Sequence, residues 1–240
     1  SRGGILEYSY WGDWAGPKEF TTRQMCDAIS SVTPGELIST AYLYYDLSLM
    51  QEFAEILGMQ ADAEDFARRA ECVKAAFIKE FFDEAQGCVG TNSQGCNAIA
   101  LYMGLIPSGR EQEVASKLAQ DVINRDYHLT TGNLCTKYLP EVLTQYGYVD
   151  VAYKLLSQTS YPSWGYMVEH GATTIWERWE YATTWGMNSH NHPMYASVSA
   201  WFYKYLAGIA PKAGSGYEQI IIKPYLPASL DRACASVDTV

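Results

Sequence analysis

The chain has 240 residues, which is enough for one large hydrophobic core without metals or disulfides to hold it. Its net charge of -10 and the lack of any Lys/Arg run argue against nucleic acid as a partner, because the phosphates would be repelled. No apolar segment reaches the length of a membrane span, so we also expect no membrane partner.

Six cysteines are scattered through the sequence without a CxxC pair or any zinc-binding spacing. We therefore expect reduced thiols in a cytoplasmic protein, with no metal and no cofactor. Cys72 lies in a helical run and is predicted to be a small buried hydrophobe. Cys88 and Cys96 flank a glycine-rich turn, and a disulfide between them is the alternative.

Apolar residues recur three or four positions apart along most of the chain, which predicts a series of helices. The first follows Thr33-Pro34-Gly35-Glu36 and is stopped by Gly58. Further helices are predicted at about 62–82, 97–104, 108–124, 138–147, 149–158 and 194–206. Residues 161–165, which contain Pro162 and Gly165, are predicted not to sit inside a helix. Strands are expected only after Gly216, with one at 217–224.

Helices joined in turn by short and longer loops indicate an array of antiparallel helical hairpins. Such an array closes either as a superhelical solenoid or as a toroid of inner and outer helices. No repeat of fixed period is visible, which disfavours the solenoid. A toroid gathers the loops of one end into a bowl, where binding sites form.

The loop stretch at 171–193 carries the densest set of site residues, with three tryptophans, two glutamates and two histidines. A carboxylate between tryptophans favours a sugar site, because indole faces stack on pyranose C–H faces and carboxylates bind hydroxyls or move protons. In the alternative interpretation, Trp176 and Trp179 are core and Arg178 pairs with Glu180 on the surface.

A second aromatic cluster with one acid lies at 8–17. It places Asp13 between Trp11 and Trp14, on a segment that is predicted to be a loop. The alternative role for Asp13 is to cap a turn.

Six segments, taken together, resemble the bacterial α-L-rhamnosidases of glycoside hydrolase family 78. They are YWGDW at 10–14, ELISTAY at 36–42, HLTTG at 128–132, YPSWGYM at 161–167, GATTIWE at 171–177 and NHP at 191–193. They follow the order of that family and span most of the chain. The resemblance implies an all-α fold, the C-terminal part of an (α/α)6 toroid at 1–211, followed by the beginning of a small β-sandwich domain at 212–240. It also implies hydrolysis of terminal α-L-rhamnosides with inversion.

The resemblance also implies roles for individual residues. Glu177 matches the general base of the family's Trp-Glu pattern, flanked by Trp176 in the predicted site. His192 matches the sugar-binding histidine of the Asn-His pattern. Asp13 and Trp14 match the Gly-Asp-Trp element, with Trp14 as a stacking wall for the sugar. The implied partners are rhamnose-containing glycosides or oligosaccharides.

The family's acid-rich Asp-Cys-Pro-x-Arg-Asp-Glu-Arg motif, which supplies the general acid, is absent from the 240 residues. Asp13 and Glu36 are candidates for that role only by location. A start without Met and about seven helices, where twelve close the barrel, lead us to expect a partial chain. Its exposed apolar flank would favour self-association.

Three other functions stay open at this point. The first is another (α/α)6 glycosidase or a polysaccharide lyase. The second is a sugar-binding remnant without catalysis. The third is an all-α interaction scaffold in which the aromatic loops are core.

Overall fold

The structure is a computed structural model that describes residues 3–9, 11–22, 28–183, 186–187 and 189–238. Tyr10 and Trp185, which belong to the two predicted aromatic stretches, lie outside the described residues, as do Cys26 and Asn188. The chain divides into two compact units. The first comprises Ser1–Leu118 with Thr130–Cys135, and the second comprises Ala119–Leu129 with Thr136–Val240.

The first unit is built on a long helical hairpin of α1 (Gly35–Ile56) and α2 (Gln60–Phe81). Both helices agree with the predicted ones to within two residues. Gly58 ends the first of them with a positive φ of 70°, which only glycine adopts at little cost. Leu47, Ala70 and Val73 form a buried cluster where the two helices pack.

The C-terminal end of α1 and the turn after it expose large apolar side chains. These are Met50, Phe53, Ile56, Leu57 and Met59. An exposed apolar flank was predicted, and self-association through it stays a prediction. Cys72 was predicted to be buried, and this is wrong. It lies on the exposed face of α2, because its neighbour Val73 takes the buried position.

A short antiparallel hairpin follows α2, with β1 (Phe82–Asp83) paired to β2 (Cys88–Val89). The expectation of strands only after Gly216 is therefore wrong. Local turn chemistry makes this hairpin, since the Asp83 carboxylate accepts from the N–H groups of Ala85 and Gln86. Two-residue strands are too short to show a periodic pattern.

After the hairpin come α3 (Gln94–Tyr102) and α4 (Glu111–Asn124). The hydroxyl of Ser93 caps α3 by accepting from the N–H of Cys96. Each of the five cysteines that the structure describes is free, including the buried Cys88 and Cys96.

The second unit contains α5 (Tyr138–Gln145), α6 (Val149–Leu156) and α7 (Trp164–Glu169). The segment predicted to be helical at 194–206 has three parts: a 3-10 turn (Met194–Ser197), α8 (Val198–Trp201) and a π-helical turn (Phe202–Leu206). A second antiparallel pair joins β3 (Ile209–Pro211) to β4 (Ile220–Ile222). None of the helices that the structure describes is both long enough and apolar enough to cross a membrane.

The prediction that residues 161–165 lie outside any helix is wrong at its C-terminal end, because α7 begins at Trp164 and includes Gly165. Pro162 stands before the cap, where it cannot break the helix. The hydroxyl of Ser163 accepts from the N–H of Tyr166 at 2.9 Å and starts the first turn. A Cβ on Gly165 would lie 2.3 Å from the carbonyl oxygen of Gln158, so close packing requires glycine there.

The π-helical turn of the second unit is joined to α5 through a buried carboxylate. Glu141 accepts from the Lys204 ammonium at 2.7 Å and from the Tyr205 hydroxyl at 2.9 Å. Gln145 donates to the same Tyr205 hydroxyl at 2.6 Å. Burial, together with the nearby Glu141 charge, raises the pKa of Tyr205 to about 12.

Removing the Tyr205 hydroxyl is expected to destabilise the second unit. Tyr205→Phe deprives the buried Glu141 of one donor, which should cost about 1–2 kcal/mol of unfolding free energy in a denaturant titration at pH 7. Because the folded pKa lies above the usual 10, the neutral phenol stabilises the fold below pH 10. That contribution is lost as the pH rises from 10 towards 12, so the variant and the parent should converge there. The exposed Tyr203 offers the control. Tyr203→Phe should change neither the unfolding free energy at pH 7 nor its dependence on pH between 10 and 12.

Candidate active site

The loop that carries the predicted general base is held beside the loop that carries the predicted sugar-binding histidine. The N–H of Glu177 donates to the carbonyl of Ser189 at 3.0 Å, and the N–H of His192 donates to the carbonyl of Ile175 at 2.9 Å. The Thr174 hydroxyl adds a bond to the carbonyl of His190. These bonds pair two irregular segments, so residues 15 positions apart in sequence belong to one local structure.

Glu177 and His192 are both half-buried. Nδ1 of His192 accepts from the N–H of Met194 at 3.4 Å. In the neutral imidazole this leaves Nε2 protonated, and that nitrogen can donate to a hydroxyl. A half-buried carboxylate and an imidazole donor on paired loops are suited to bind polyhydroxyl compounds and to move a proton.

The two tryptophans of the same loop are core residues. Trp179 is fully buried and packs against Trp164 at 4.9 Å and Tyr195 at 4.1 Å between ring centroids. Trp176 is 3% exposed and contacts the rings of Tyr181 and His190. This burial favours the alternative given from the sequence, in which these tryptophans are core. A sugar contact of Trp176 stays a prediction.

An ion pair flanks the predicted base, but it is not the surface pair that the sequence indicated. Arg178 is 2% exposed, and its Nε donates to Oε1 of Glu180 at 2.6 Å. Among the described residues, Oε2 of Glu180 has no hydrogen-bond partner. In sequence Arg178 stands between the buried Trp176 and Trp179, and breaking the ion pair would remove the Glu180 carboxylate from a buried charge.

In the first unit, Asp13 anchors a loop. Its carboxylate is 1% exposed and accepts from the N–H groups of Gly132 at 2.8 Å, Cys135 at 3.0 Å and Leu134 at 3.1 Å. Burial raises the pKa of the Asp13 carboxyl, and the backbone bonds offset part of that rise. This geometry favours the capping role that the sequence left as the alternative, while sugar binding by Asp13 stays a prediction.

The aromatic residues beside Asp13 are more accessible than the acid. Trp14 is half-buried, and its carbonyl accepts from the N–H of Asn133 at 2.6 Å. Trp11 is 51% exposed and meets the Trp14 ring edge-on, with centroids 4.7 Å apart. Trp11 also lines an open cleft of about 530 Å³, together with Tyr8 and Tyr42. The sequence placed Trp11 in the cluster but gave it no role.

Glu36, a candidate acid by location, lies in the first turn of α1. It lines a second cleft of the first unit with Glu7 and Glu80. Over the described residues, no group of three or more His, Cys, Asp or Glu side chains is arranged to hold a metal ion.

Comparison with known proteins defines the class. A family model for the bacterial alpha-L-rhamnosidase 6 hairpin glycosidase domain matches residues 4–206. The chain therefore falls in the class of six-hairpin glycosidase domains. Within that class, the chain belongs to the bacterial α-L-rhamnosidase family. The predicted fold class, mostly helical with small sheets near the C-terminal end, is confirmed.

Individual relatives agree with this assignment. An α-L-rhamnosidase of Alteromonas sp. is 34% identical over 246 residues, covering 100% of this chain and 26% of that protein. The structure of the α-L-rhamnosidase from Dictyoglumus thermophilum matches with a TM-score of 0.83 at 42% identity, over 92% of this chain and 24% of that one. The structure of the Streptomyces avermitilis α-L-rhamnosidase complexed with L-rhamnose matches with a TM-score of 0.83 at 33% identity, over 95% of this chain and 21% of that one. The chain spans about a quarter of the length of these relatives.

Proposed function

We propose that the chain hydrolyses terminal α-L-rhamnosides with inversion, as part of a larger catalytic domain. The observation that carries the proposal is the pairing of the Glu177 loop with the His192 loop. Both residues stand in motifs of the family to which the chain belongs. The Streptomyces avermitilis relative was solved with L-rhamnose, which supports rhamnosides as the substrate class.

In this mechanism Glu177 is the general base. It takes a proton from a water molecule while the water oxygen attacks the anomeric carbon. The glycosidic C–O bond breaks as a protonated carboxyl gives its proton to the departing oxygen. Inversion requires about 6.5–9.5 Å between the two carboxyl groups, because the water occupies the space between them.

The general acid is proposed to come from outside the 240 residues. The family's acid-rich motif is absent from them, and Asp13, a candidate by location, is held by three backbone N–H groups. A carboxylate bound in this way is poorly placed to protonate a leaving group. The 240-residue chain alone is therefore expected to hydrolyse rhamnosides slowly or not at all.

Two of the remaining site residues bind a sugar in this proposal. His192 donates from Nε2 to a rhamnose hydroxyl. The resemblance separately assigns Trp14, in the first unit, as a stacking wall for the apolar face of a sugar ring. Trp176, which is buried, acts by supporting the loop that holds Glu177.

The stereochemistry of the first product tests the proposal. In the protein that also contains the acidic motif, 4-nitrophenyl α-L-rhamnoside should release β-L-rhamnose first, seen by proton NMR before mutarotation. 4-Nitrophenyl β-D-glucoside is the control substrate and should be turned over far more slowly. Initial release of α-L-rhamnose would contradict inversion. Rhamnose binding without any turnover would select the non-catalytic alternative.

A further inference from the structure

The cleft beside Trp11 is open to solvent and has an aromatic lining. Its volume of about 530 Å³ falls within the range of pockets that enclose drug-sized ligands, about 300–1,000 Å³. Ile38 and Ser39 line one wall from α1, together with Tyr42 one turn further along the helix. Trp11 and Leu134 line it from the loops that Asp13 joins.

The lining selects for a neutral ligand with flat apolar faces. Of the described residues that line this cleft, none carries a charge. Three are aromatic, and hydroxyl groups come from two serines and two tyrosines, Ser9, Ser39, Tyr8 and Tyr42. The second cleft of this unit is lined by three glutamates, so the two clefts differ sharply in charge. An aromatic wall with few polar groups favours an aromatic ring system over a second sugar, whose many hydroxyls would lose water without replacement.

Trp11 is held in place before any ligand arrives. Its ring rests edge-on against Trp14, and about half of its surface remains exposed. The segment from Gly12 to Trp14 is fixed by the Asp13 carboxylate and by the bond from Asn133 to the Trp14 carbonyl. A preset aromatic platform loses little conformational freedom when a ligand stacks on it.

We propose that this cleft binds the aromatic aglycone of an aryl α-L-rhamnoside and that Trp11 is the stacking residue that selects it. The inference rests on the proposed function, in which the neighbouring Trp14 holds the rhamnosyl ring. The adjacency of Trp11 and Trp14 then places the aglycone next to the sugar. Trp11 is a specificity residue here, and Glu177 keeps its separate role.

Ligand-observed NMR on the 240-residue chain tests the proposal, with methyl α-L-rhamnoside, 4-nitrophenyl α-L-rhamnoside and free 4-nitrophenol as probes. The aryl rhamnoside should bind about 3–10-fold more tightly than the methyl rhamnoside, the range expected for one aromatic stacking contact. Trp11→Ala should remove that preference and leave the affinity for the methyl rhamnoside unchanged. Trp11→Phe should restore part of it.

Phe53→Ala is the matched control, since Phe53 is 53% exposed on α1 but does not line the cleft. It should leave both affinities unchanged, and circular dichroism checks that each variant is folded. An aryl preference that survives Trp11→Ala would overturn the proposal, as would an equal loss for both rhamnosides. If 4-nitrophenol binds in a Trp11-dependent way while neither rhamnoside binds, the cleft is an aromatic site but the proposed rhamnosidase function is wrong.

Discussion

Glu177→Gln is expected to lower kcat for aryl α-L-rhamnosides by about 10²–10⁴-fold, with a much smaller change in KM, in the protein that also carries the general acid. Glutamine keeps the shape and the backbone bond to Ser189 but cannot accept the proton of the attacking water. Sodium azide should restore part of the rate and yield β-L-rhamnosyl azide, because a small anion can take the place of the water. Steady-state kinetics and NMR of the product give both results.

Glu180→Gln is the matched control for this experiment. Glu180 lies on the same loop, three residues on, and is paired with Arg178. Its loss should lower stability, because the buried Arg178 charge is left poorly compensated. Azide should not restore any rate in this variant. An unchanged kcat in Glu177→Gln would remove Glu177 from the mechanism, and azide rescue of Glu180→Gln would assign the base to Glu180.

Asp13→Ala is expected to destabilise the first unit by about 3–5 kcal/mol, measured by urea unfolding. The change leaves the N–H groups of Gly132 and Cys135, which are buried, and of Leu134, which is partly buried, without their acceptor. Asp13→Asn should cost less, about 1–3 kcal/mol, because the amide oxygen can still accept from two of them while its NH₂ group faces the third.

Asp83→Ala provides the comparison. Asp83 also accepts from two backbone N–H groups, but it does so in an exposed turn where water can replace it. Its loss should cost about 1 kcal/mol or less. Equal losses of unfolding free energy in Asp13→Ala and Asp83→Ala would contradict the anchoring role of Asp13, because burial would then make no difference.

The long helices were predictable because their signals are local. The period of apolar residues and the stop at Gly58 locate α1 and α2 to within two residues. The errors arise where tertiary contacts determine the local structure. Ser163 caps α7 and brings Gly165 into its first turn, where the Gln158 carbonyl leaves no room for a Cβ, and nothing in the sequence near Gly165 reports that contact.

The site shows the same division. The motifs place Glu177 and His192 on loops, and backbone bonds then pair those loops. The sequence left open whether Trp176 is core or site, because its burial depends on contacts made on folding, such as that with the His190 ring of the facing loop. Cleft residues such as Trp11 and Leu134 meet only after folding, so the aromatic cleft had no signal in the sequence.

The bonds of Asp13 have a consequence for the order of events during synthesis. Its three backbone partners follow it by 119, 121 and 122 residues. At about 5–20 residues per second, the ribosome delivers them roughly 6–24 s after Asp13 has been made. Contacts of such long range form late. Until these partners have been made, the nascent segment around Trp11 and Trp14 keeps its aromatic rings exposed. A chaperone that binds apolar surface would protect the chain most during this interval.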